Sequence, residues 1–140
     1  MAKRNPALIT ALRQTADRIA GGARYEWGHM GRCNCGHLVQ TVTDMSAYEI
    51  VKSIDFQLDE WTEHAKDYCA RTGHKVDDLF MALQNVGFSY QDVIHLENLS
   101  DSRVLARLPG GKRHLRRNQI GDVTLYMRTL ADMLDEGATV

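Results

Sequence analysis

Proline is scarce in this sequence, with two residues in 140, and three cysteines are too few for a disulfide scaffold. An odd number of thiols cannot all close into intramolecular disulfides, and free thiols are the normal state in a reducing compartment. Long apolar runs are missing too, since nothing approaches the roughly 18 uninterrupted apolar residues of a membrane helix. The N-terminal Met-Ala-Lys-Arg-Asn-Pro leads into a segment broken by Arg13, Asp17 and Arg18, not into a signal-peptide core. The expectation is a soluble cytoplasmic protein with no membrane partner. Net charge is nearly absent. Seventeen Lys and Arg against eighteen Asp and Glu leave −1, which argues against a surface that gathers nucleic acid by its overall field.

What is present is ordinary for a globular chain: 44% apolar and 25% charged residues. At this length one hydrophobic core suffices, so residues 1–140 are expected to form a single helical domain. Asn5-Pro6 opens a helix on which Leu8, Ile9, Leu12, Ala16 and Ile19 recur at helical spacing, and Gly21-Gly22 end it. Ser46 is placed to cap a helix over 48–58 bearing Ile50, Val51, Ile54 and Leu58 on one face. From 59 to 72 the stripe is Trp61, His64, Ala65, Tyr68 and Cys69. Residues 77–86, a segment starting at Ser89, and 118–136 supply further amphipathic stretches. The last carries Ile120, Val123, Met127, Leu130 and Leu134 inward. No period-2 run calls for a sheet. The pattern predicts an all-α fold, an irregular bundle of about six helices with a Gly-rich loop after the first.

That loop, 21–37, stands apart. Gly21, Gly22, Gly28, Gly31 and Gly36 fall there among Arg24, Tyr25, Trp27, His29, Arg32, Cys33, Cys35 and His37. Glycine is used where the backbone must take positive φ or approach another group closely. Loops longer than about 12 residues are functional or disordered more often than merely connecting. The plain alternative is a surface loop pinned by Tyr25 and Trp27.

Three chemistries compete for its thiols and imidazoles. If the chain is extended, Cys33, Cys35 and His37 lie two apart on one face and suit Zn²⁺, or Cu(I) as a softer guest. His64 and Cys69 on their helical stripe, with His29, could complete the shell, so the expected metal set is Cys33, Cys35, His37, His64 and Cys69. Alternatively, Asn34 caps a helix and places Cys35 in its first turn, where amides and dipole favour a thiolate nucleophile. His29, His37 or His64 would then be its partner, and Arg24 and Arg32 would hold a small anionic ligand. Without any such chemistry, the cysteines pack as small apolar groups and the protein is an interaction module or homodimer.

Other candidates are weaker. Glu60, Glu63 and the Asp92/His95 pair do not make an inward carboxylate site. The basic run Lys112 to Arg117 is expected to pair with Asp122 or with acidic helices and not with nucleic acid. The segment 83–96 has the outline of a helix-turn-helix. Its second helix would present Tyr90, Gln91, Asp92, His95 and Glu97, which a DNA backbone repels.

Overall fold

The structure, a computed structural model, describes residues 2–25, 32–44, 46, 78–108, 115–116 and 119–137. Helix α1, Pro6–Ala20, begins as expected: Asn5 Oδ1 accepts from the Ala7 amide at 2.9 Å and Pro6 takes the first helical position. Its inward face is Leu8, Ile9, Ala11, Leu12, Thr15, Ala16 and Ile19. Helix α2 is Asn34–Thr43. Helix α3, Asp78–Asn85, turns through Gly87 (φ 94°) into α4, Tyr90–Asn98. Gly87 is required twice over. A side chain there would be strained by the positive φ, and its Cβ would lie 3.0 Å from Lys3 Cβ, where Lys3 N–H donates to the Gly87 carbonyl. A short helix, α5 (Ser102–Leu105), and the long α6 (Ile120–Glu136) complete the order. Among the described residues there is no strand. The all-α expectation holds.

Helix α1 is the centre of the packing. It makes its broadest contact with α6 and a second one with α2, while α2 also touches α3 and α4. The core runs through Leu8, Leu12 and Ile19 of α1, Leu38 of α2, Leu96 of α4, and Tyr126 and Met127 of α6. At the rim of the α1–α6 seam, Arg13 bonds Asp132 at 2.9 Å and Arg128 bonds Asp17 at 3.0 Å. Such exposed pairs fix register more than they add stability.

Several expectations need correction. Ile120 is 43% exposed, because the buried stripe of α6 starts one turn later at Val123. Asp92 and Glu97 do not face solvent: both are buried. Asp92 closes a capping box with Ser89, and His95 Nδ1 lies 3.0 Å from Ser100 Oγ, so this pair serves the ends of α4. Asp122 does meet the basic stretch, accepting from the Arg116 amide at 2.8 Å. The helices expected over 48–58 and 59–72 lie outside the described residues. Among the described helices none is long and apolar enough to cross a membrane.

Leu12 has no exposed surface and sits on α1 between its partners. Leu12→Ala is expected to destabilise the fold by about 2–5 kcal/mol in urea unfolding followed by circular dichroism.

Candidate functional site

The first turn of α2 gathers the chemistry. Cys33, not Asn34, is the N-cap: its Sγ accepts from the Gly36 amide at 3.4 Å. Asn34 is thereby moved into the first helical position, and its side chain is released for another task. Asn34 Nδ2 donates to the carbonyls of Leu96 at 2.9 Å and Glu97 at 3.1 Å, and its Oδ1 accepts from the Tyr25 hydroxyl. Glu97 returns the contact, with Oε1 accepting from the Cys35 amide at 3.1 Å. The amides left over at the start of α2 and the carbonyls left over at the end of α4 thus satisfy one another through two side chains.

All four of Cys33, Asn34, Cys35 and Glu97 are fully buried. The Cys33 thiol feels the charge of the Glu97 carboxylate, and Cys35 S–H donates to the Val93 carbonyl at 3.4 Å. Burial pushes the Cys33 thiol well up and the Glu97 charge pushes it further. The Gly36 and Cys35 amides oppose both. Tyr25 is raised for the same first two reasons, burial and then Glu97.

His37 lies elsewhere. Its ring stacks on Tyr25 with centroids 6.1 Å apart and planes 14° from parallel. Nε2 is 2.7 Å from the Arg24 carbonyl, and Nδ1 is 3.4 Å from Arg18 Nη1. A carbonyl can only accept and a guanidinium can only donate, so the consistent state is neutral, with the proton on Nε2. Burial lowers the His37 pKa, the Arg24 carbonyl raises it, and the Arg18 and Arg32 charges lower it. Arg18 also donates to the His37 carbonyl at 2.8 Å and to Thr41 Oγ1 at 2.6 Å, and Thr41 Oγ1 lies 2.7 Å from Thr15 Oγ1. These bonds tie α1 to α2.

The shared face expected for Cys33, Cys35 and His37 required an extended chain. The chain is helical from Asn34, so Cys35 and His37 are separated by about 200° around the axis. Among the described residues no group of three or more His, Cys, Asp or Glu side chains is arranged to hold an ion. His29, His64 and Cys69 lie outside them. As a nucleophile, Cys35 is poorly placed, being sealed in the core with its proton on a carbonyl. Of the two arginines expected to hold an anion, Arg24 meets His37 through its backbone and Arg32 through its charge. The arginine seated between α1 and α2 is Arg18. Glu97 was missed as a site residue, although its four-residue step from Val93 put it on the inward stripe.

Comparison with known proteins adds nothing to this geometry: no family model, curated protein or solved structure matches the chain.

Two outcomes are expected. Asn34→Ala removes both donors to the end of α4 and leaves buried carbonyls unmet, lowering stability by about 2 kcal/mol in equilibrium urea unfolding. His37 is held below its ordinary 6.5, so the unfolded chain takes up the proton first as pH falls. Stability conferred by the neutral ring is full above that value and is lost as pH drops toward the lower folded one. Thermal melts between about pH 7 and pH 5 should therefore decline more steeply for the native chain than for His37→Gln.

Proposed function

We propose that the chain binds a transition-metal ion, zinc by donor type, with Cys33 at the start of α2 as the anchoring ligand. The observation that carries this is the buried sulfur at the N-cap, which receives the Gly36 amide at 3.4 Å. A neutral thiol is a weak acceptor, so an amide turned on the sulfur at a helix start complements a thiolate. A lone thiolate in a dry place beside a carboxylate is unfavourable, and a divalent cation relieves both charges at once. Glu97, whose charge reaches the Cys33 thiol, is a further donor, and Cys35 follows by turning its sulfur away from Val93. His64 and Cys69 supply the remaining donors that the sequence offers. His37, committed to Arg24 and Arg18, drops out of the expected set. Thiolate, carboxylate and imidazole together are donors that Zn²⁺ accepts. Four protein ligands would make the ion structural, and a water in the fourth position would make it hydrolytic.

Elemental analysis of protein purified without added metal should find about one equivalent of a transition ion. Once a chelator has stripped the native ion, Co²⁺ added to the metal-free protein should give a thiolate charge-transfer band. Cys33→Ser is the informative variant, because serine is a favoured N-cap and keeps the helix start while removing the sulfur. It should retain helical circular dichroism and lose the ion and the band. No ion in the native protein and no cobalt band would overturn the proposal. One thiol that iodoacetamide alkylates far faster than the others, in metal-free protein near neutral pH, would replace it with thiol chemistry.

A further inference from the structure

A second region of the molecule is shaped to receive a ligand and shares no residue with the thiol cluster. Between the C-terminal halves of α1 and α2 lies a cleft of about 640 Å³, within the range of small-molecule sites. Gln14, Asp17 and Arg18 form one wall, and Gln40, Thr41, Asp44 and Ser46 the other. All seven are polar. Apolar surface does not dominate this seat, and hydrogen bonding and charge decide what it takes.

The charges are arranged as two poles. The positive one is Arg18, a half-buried guanidinium held in place by the His37 carbonyl and Thr41 Oγ1. Burial lowers its pKa, because water screens and solvates it less. A ligand carboxylate would restore that solvation through the guanidinium N–H groups left over by His37 and Thr41. The negative pole is Asp44. It closes α2 as its C-cap in the left-handed conformation (φ 60°), so its carboxylate is carried at the end of the helix where carbonyls accumulate partial negative charge. Asp17, the other acid of the cleft, is already drawn to Arg128 at 3.0 Å, which leaves Asp44 as the stronger attraction for a cation. Gln14, Gln40, Thr41 and Ser46 add amide and hydroxyl groups along the walls.

A simple anion would meet Asp44 and Asp17, and a simple cation would meet Arg18. We propose that the cleft between α1 and α2 binds a small zwitterion of the free amino-acid class, its carboxylate on Arg18 and its ammonium on Asp44. The polar lining accepts a polar side chain better than an apolar one.

The test is a titration of the full chain with the proteinogenic amino acids one at a time, followed by amide chemical shifts in two-dimensional NMR. At least one, with a polar side chain, should move resonances of 14–18 and 40–46 and leave α6 unperturbed. Its decarboxylated amine and its deaminated acid should each bind about tenfold more weakly or worse, each having lost one charge-assisted contact. Asp44→Asn should weaken binding by a similar factor with an unchanged melting temperature, because asparagine tolerates the left-handed conformation. Metal content should not respond to this variant. Three results would overturn the proposal: no amino acid shifts these residues, the amine or the acid alone binds as tightly as the zwitterion, or Asp44→Asn leaves the affinity unchanged.

Discussion

The end-to-end junction of α2 and α4 is the constraint around which the rest of the described structure is arranged. A helix end leaves about four backbone groups unsatisfied, and burying two such ends together is prohibitive unless each supplies what the other lacks. Here Asn34 carries donors to the carbonyls of Leu96 and Glu97, and Glu97 carries an acceptor to the amide of Cys35. Both side chains are fully buried, so water cannot substitute for either. The carboxylate also stands at the positive end of the α2 dipole, the orientation that favours an anion. Leu99, in the left-handed region at φ 50° with its side chain buried, ends α4 where the junction needs it to end.

Cys33 shows how opposing effects are decided in that place. Two amides favour its thiolate, while burial and the Glu97 charge favour the thiol, and the second pair wins. The outcome depends on what else enters. In protein alone the sulfur keeps its proton and acts as a helix cap. In the proposed site, a divalent cation between sulfur and carboxylate would reverse the sign of the local field, and the same amides would stabilise the ligand.

The position of α1 links the two candidate seats. It packs on α6 through apolar side chains, and its Arg18 and buried Thr15 reach Thr41 of α2. Arg18 lies against the neutral imidazole of His37 on one side and lines the polar cleft on the other. Protonating His37 would set a second cation beside that guanidinium, so acid weakens the α1–α2 contact through charge and not through packing.

The helices were legible because their signals are local. Asn5-Pro6, the three- and four-residue apolar steps, Gly87 and the Ser89 to Asp92 capping box each act within a few residues. What sequence left open depends on pairing between distant segments. Whether Asn34 caps its own helix or reaches across to α4 was settled by the presence of Leu96 and Glu97, 62 and 63 residues away. Glu97 looked like a solvated acid because its partner lies on another helix. The common face for Cys33, Cys35 and His37 failed because period two belongs to an extended chain and this one winds from Asn34. Local periodicity is written in neighbouring residues, so the sequence alone determined an all-α chain and most of its buried faces. Which buried polar groups complete one another, and which charges share a cleft, was decided only by tertiary packing, because that depends on the distance between elements that no spacing along the chain encodes.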